Sequence, residues 1–264
     1  MNSTALLEPK AVASSTDNRT TEMKLTDQQL RQYKEEGYTV VRGLISPQEA
    51  ERVRHQLMDL LEDSSSWPID HFQVLDPSKF RNPKGGLIPV GVQQPAKQET
   101  VFRDIADHSN LREAMAQLLG GPVKRFTDQA LIKNREFDGQ SFYHQDSYYW
   151  RLKPKIGCNA WIALDEVGKG AIALGIMPGT HKDWTLTPHE QYFDEPSYHN
   201  ATSGEAFKRH RIPLDKIDFS KEILLPMMPG DAAFFTNYTW HRAEPNRSGQ
   251  HKCAYAIAYR LVED

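Results

Sequence analysis

His144 and Asp146, in Tyr143-His144-Gln145-Asp146, and a distant His241, in Tyr238-Thr239-Trp240-His241, are the residues of this chain best suited to chemistry. The Phe, Tyr and Trp residues around His144 predict a β-strand over 141–150. Side chains two apart on a strand share a face, so an imidazole and a carboxylate would project together. A second His would complete two imidazoles and one carboxylate, the facial triad of non-heme Fe(II) oxygenases, which leaves metal positions open for other ligands. The pair alone also fits a packed histidine bonded to a neighbouring acid.

Positioning such a set requires a framework, and turn and cap signals outline one. Thr26 with Gln29 has the form of a capping box flanked by a Leu25–Leu30 staple, and Gly37 is a stop, so a helix is predicted over 27–36. Tyr38–Val41 reads as a strand. Ser46-Pro47-Gln48-Glu49 opens a second helix, and Ser109 is the expected cap of a third, ending at Gly120-Gly121. Residues 64–100 are interrupted by five prolines and lose periodicity, which suits a lid over a site or a surface connection. Strands are then predicted over 123–133, 141–150, 156–164, 171–177, 222–227, 232–237 and 252–261, separated by turns such as Pro178-Gly179 and Pro229-Gly230-Asp231. Helices first and many short strands afterwards imply a mainly β fold with flanking helices.

With 264 residues, 32 Lys and Arg against 35 Asp and Glu, and a formal charge of -3, the chain suits one large domain with no polyanionic partner. The short basic run Lys208–Arg211 is expected to be a solvated loop. Two cysteines, Cys158 and Cys253, exclude a disulfide framework and suit a reducing compartment. No apolar run is long enough to span a bilayer. Residues 1–24 read as a disordered tail without signal-peptide or transit-peptide character, ahead of a single domain over 25–264, and a cytoplasmic location is expected.

Four motifs in order carry a family resemblance: "GYTVVRGLIS" (37–46), "FYHQDSYYW" (142–150), "WIALDEVGKGAIALGIMPGTHK" (161–182) and "PGDAAFFTNYTWHRAEPNRS" (229–248). Across roughly 25–261 the chain resembles the phytanoyl-CoA dioxygenase family of Fe(II)/2-oxoglutarate oxygenases. The resemblance implies a double-stranded β-helix (cupin-like jelly roll), with His144, Asp146 and His241 as iron ligands. It also implies Fe(II), 2-oxoglutarate and O2 as the reacting set, releasing succinate and CO2. Asp146 disfavours halogenation, because related halogenases replace that carboxylate with a small residue.

One departure concerns the far carboxylate of 2-oxoglutarate, which an Arg holds in the family. Here Lys252 falls at that place, a point cation without Arg's bidentate fork, with Arg247 and Arg260 as fallbacks. Trp161 and Asn134 are further candidates for contacting 2-oxoglutarate, and Tyr149, Trp150 and Trp240 for lining a substrate pocket. His181, within the family motif, is read as structural or near the rim. The expected activity is hydroxylation, or another two-electron oxidation, of a small-molecule metabolite. The alternatives are an acyl-CoA hydroxylase and a cupin-like metal-binding protein without turnover. Neither a basic cluster for CoA phosphates nor a peroxisomal address at Val262-Glu263-Asp264 favours the acyl-CoA reading.

Overall fold

A computed structural model describes residues 23–137, 139 and 141–263. In chain order the first elements are α1 (Asp27–Glu36), β1 (Tyr38–Val41), α2 (Pro47–Glu62), β2 (Phe72–Leu75), β3 (Pro89–Gln93), α3 (Thr100–Ala106), α4 (Ser109–Leu119) and β4 (Val123–Lys133). There follow α5 (Asp146–Trp150), β5 (Gly157–Ala163), β6 (Leu174–Met177), β7 (Glu190–Tyr192), β8 (Tyr198–Asn200) and β9 (Arg209–Arg211). The last are β10 (Ile223–Leu225), β11 (Ala232–Thr236), β12 (Trp240–Ala243) and β13 (Lys252–Leu261).

The helix starts follow their side chains. Thr26 and Gln29 satisfy each other's backbone N–H, as do Ser46 and Glu49, and Gly37 closes α1 at φ 86°. Such boxes pair donors that a helix start otherwise leaves orphaned. The cap of α4 is His108 rather than Ser109, its ring accepting from the Asn110 N–H at 3.2 Å. Order also begins earlier than expected: the Met23 N–H donates to Glu113 at 2.5 Å, and its side chain packs on the core. The rest of the expected tail, 1–22, lies outside the described residues.

Eight strands form one antiparallel sheet in the order β1-β11-β5-β13-β4-β3-β2-β8, and β10-β6-β12 form a second. Strand alternation divides the large sheet between two jobs. Ala160, Ile162, Phe234, Tyr255 and Ile257 face the helices and join Leu57, Phe102 and Leu111 in the main core. The intervening Trp161, Ala163, Ala233, Phe235 and Ala254 face the second sheet, meeting Leu174 and Ile176. This is the mainly β, helix-buttressed jelly roll expected. Among the described residues no helix is long and apolar enough to cross a membrane.

Three local expectations are corrected. Residues 141–150 form no strand: His144 makes a single bridge to His241, and the chain then turns into α5. Residues 64–100 are not merely irregular, since β2 and β3 extend the large sheet from within them. Pro89, which has no N–H to donate, starts β3 beside a register shift at Gln73/Val74, a place that tolerates it. Lys208–Arg211 is no solvated loop either, because 209–211 form β9, paired with β7.

Candidate metal centre and cavity

The backbone brings the two histidines together. His144 N–H donates to the His241 carbonyl at 3.1 Å and His241 N–H to the His144 carbonyl at 3.2 Å, so the rings stand side by side, 4.3 Å between centroids. Gln145 is extended (φ -118°, ψ 130°), which keeps His144 and Asp146 on one side although no strand forms there. The i, i+2 reasoning holds through that one residue. Asp146 Oδ1 lies 3.9 Å from His144 Nε2 and 3.6 Å from His241 Nε2. One ligand atom from each of the three lies within 4.8 Å of the others.

The protonation pattern suits a cation. His144 Nδ1 sits 2.8 Å from the Phe142 carbonyl and His241 Nδ1 sits 2.9 Å from the Thr239 carbonyl. Carbonyls only accept, so each Nδ1 carries the proton and each Nε2 lone pair is left for the shared point. Burial, then the neighbouring His241, holds His144 well below the usual imidazole range, keeping it neutral. Burial raises the Asp146 carboxyl, partly offset by His241 and by Asn159 Nδ2, which donates to Oδ2 at 3.1 Å. Two imidazoles with their Nε2 atoms turned to one point and a carboxylate that burial penalises form a donor set which a divalent ion completes, and octahedral Fe(II) fits it with positions to spare.

Gln145, unmarked in the sequence reading, braces this loop. It is wholly buried, and its amide donates to the Tyr238 carbonyl at 2.8 Å and the Thr185 carbonyl at 2.9 Å while accepting from Thr187 N–H at 2.9 Å. Gln145→Ala would orphan those three backbone groups. It is expected to cost about 2–4 kcal/mol and to weaken metal binding about tenfold or more, checked by thermal melts and metal titration of the same preparation.

A cavity of about 270 Å³ opens over the triad. Of the predicted contacts, Trp161, Tyr149 and Trp150 line it. Ala256 and Ala258 of β13 leave it room. Five others are not among its lining residues. Trp240 points off the opposite face of β12 and packs with Tyr143, Met177 and Ile212. Asn134 accepts from Glu136 N–H and shapes a turn. Arg247 anchors a loop by donating its N–H to the Gly170 carbonyl. Lys252 donates its ammonium to the Glu166 carbonyl at 2.9 Å. The fallback Arg260 sits near the far end of β13, opposite Gly157. His181 is buried beside α1 with its Nε2 at the Lys34 carbonyl.

The sequence reading missed Lys133, Tyr198, Arg209 and Arg242 as lining residues. Lys133 had a signal: it continues the 127, 129, 131 series on the cavity face of β4. Tyr198 and Arg209 come from the segment 183–213, where no motif announces them.

A jelly roll holding a His-x-Asp…His set at the floor of a cavity defines an Fe(II)/2-oxoglutarate-dependent oxygenase, with iron and 2-oxoglutarate as its cofactors. The chain belongs to the phytanoyl-CoA dioxygenase (PhyH) family, whose profile matches residues 33–254. It is 25% identical over 243 residues to a probable phytanoyl-CoA dioxygenase of Caenorhabditis elegans, spanning 89% of this chain and 75% of that protein. It is 23% identical over 243 residues to a methylphosphonate hydroxylase of Gimesia maris, spanning 91% and 82%. Among solved structures, EvdO2 of Micromonospora carbonacea var. aurantiaca complexed with 2-oxoglutarate has a similar fold, with TM-score 0.65, 18% identity and coverage of 90% and 92%. The epimerase SnoN in complex with Fe3+, alpha ketoglutarate and nogalamycin RO gives TM-score 0.64 at 18% identity, covering 89% and 82%.

Proposed function

We propose that this protein hydroxylates a C–H bond of a small-molecule metabolite. The observation that carries the reading is the convergence of His144, Asp146 and His241 beneath a cavity lined by Trp161, Tyr149 and Trp150. When bound, iron and 2-oxoglutarate supply the oxidising chemistry, consuming O2 and releasing succinate and CO2. The chain's own residues hold the ion through two imidazole Nε2 atoms and a carboxylate and set what fits beside it. Lys252 shares the face of β13 that carries Ala254 and Ala256, and on releasing the Glu166 carbonyl it would meet the far carboxylate of 2-oxoglutarate.

Cavity size supports a small substrate over an acyl-CoA. About 270 Å³ falls just under the ~300–1,000 Å³ that drug-sized ligands fill, and an acyl-CoA is larger still. The hydroxylase relative of Gimesia maris acts, by its description, on a small molecule. The test is a metabolite screen with Fe(II), 2-oxoglutarate and O2, scored by succinate. Succinate rising with one metabolite, together with an oxygenated product, is expected. Substrate-independent absence of succinate from a protein that binds both iron and 2-oxoglutarate would count against turnover.

A further inference from the structure

Three cations line the cavity, and their partners differ. Arg242 is taken up by Glu222 at 2.5 and 2.7 Å, with Glu244 at 3.6 Å. Arg209, its side chain only 20% exposed, is held by Asp194 at 3.2 and 3.4 Å. Lys133 is 7% exposed, and among the described residues its ammonium makes no hydrogen bond and no ion pair. It stands over the ring of Tyr198, 5.9 Å from Nζ to centroid.

The acids of the cavity are already engaged. Asp194 serves Arg209, and Asp146 belongs to the triad. Asp128 takes the Ala96 N–H at 3.0 Å and the Tyr255 hydroxyl at 2.8 Å. Among the described residues Lys133 and Arg209 therefore share one wall with a single balancing carboxylate, Asp194, a surplus of one positive charge beside Val90, Phe207 and Tyr198. Burying an unmatched ammonium is unfavourable unless something negative arrives to match it.

We infer that Lys133 and Arg209 form a subsite for an anionic group of the substrate: a carboxylate, phosphate or phosphonate at one end of a small molecule oxidised elsewhere along its length. The inference rests on the cavity being the oxygenase active site. The subsite is assigned to the substrate because the segment 183–213 supplies Arg209 to it, beside the Lys133 of β4. That segment carries Tyr198, Phe207 and Arg209 over from outside the barrel strands that hold Trp161 and Ala256. Burial and the neighbouring Arg209 push the Lys133 ammonium down to about 7, with Asp194 offsetting only part of the fall.

The experiment is anaerobic calorimetry on the full chain loaded with Mn(II). 2-Oxoglutarate is titrated first, followed by inorganic phosphate, hexanoate and the neutral control hexanamide, for the wild type and for Lys133→Met. Met keeps the length of the side chain and removes its charge. Phosphate or hexanoate is expected to bind the wild type saturably and hexanamide not. Lys133→Met should weaken the anions by about tenfold or more while 2-oxoglutarate changes by less than about twofold. A Lys133→Met protein that loses 2-oxoglutarate instead would assign this cation to the cosubstrate and overturn the inference. So would anion affinities that ignore the substitution, or a wild type that takes 2-oxoglutarate but neither anion. A wild type that fails to bind 2-oxoglutarate at all would remove the active-site reading, and this inference with it.

Discussion

Asp146→Ala is expected to abolish oxygenation and to weaken Mn(II) or Fe(II) binding by about a hundredfold or more, since changes merely behind a metal's ligands already cost ~10–100-fold. The apoprotein should not lose stability in proportion. The Asp146 carboxyl is raised by its burial, so without a cation its ionised form is a burden to the folded chain. What the substitution forfeits from the empty site is the bond from Asn159 Nδ2. Metal content measured on the purified variant, beside a thermal melt of metal-free protein, separates the two effects. A variant that retains full iron with activity would remove Asp146 from the ligand set.

The second large effect runs in the opposite direction. Lys133→Met is expected to stabilise the metal-free, ligand-free protein by on the order of 3 kcal/mol at about pH 7. Its ammonium has a folded pKa of about 7 against roughly 10.4 in an unfolded chain. Between those values the unfolded chain holds a proton that the native chain has released, so wild-type stability gains from this group as pH rises through that window. Below it both states are protonated and the whole penalty of the buried charge is present. The advantage of Lys133→Met should therefore be largest at and below about pH 7 and fade towards about pH 10. Denaturant titrations of both proteins at the two ends check it. A variant less stable than wild type at about pH 7 would mean that the ammonium is matched in the native state.

Much of this architecture was legible because local chemistry and tertiary structure agree. The boxes at Thr26 and Ser46 set two helix starts, and α1, β1, β4 and β13 run over the residues predicted for them. The triad was legible because its spacing is local at one end and set by a motif at the other. What failed depended on partners far away. The aromatic run at 142–150 looks like a strand, but Gln145 finds acceptors at Tyr238 and Thr185, and the Ser147 N–H donates to the Asn237 carbonyl, which turns the chain into α5. The short β12, with Trp-His-Arg-Ala, lacks any apolar signature and exists because Leu174–Met177 pairs with it. For the same reason the Lys133 cation at the cavity was not singled out. Lys252 and Lys133 are directly opposite on neighbouring strands, and only the folded chain shows that Lys252 is drawn to Glu166 while Lys133 faces the cavity.

The loop bearing His144 and Asp146 also grips the segment 183–213. Gln145 bonds Thr185 and Thr187, and its N–H donates to His189 Nε2 at 3.2 Å. Tyr149 Oη donates to the His210 carbonyl at 2.8 Å and accepts from its N–H at 2.9 Å. One short stretch of backbone thus answers both to the ion and to the cover of the cavity. Thermodynamic reciprocity then applies: any molecule that repositions this cover changes the affinity for iron by the same factor by which iron changes the affinity for that molecule.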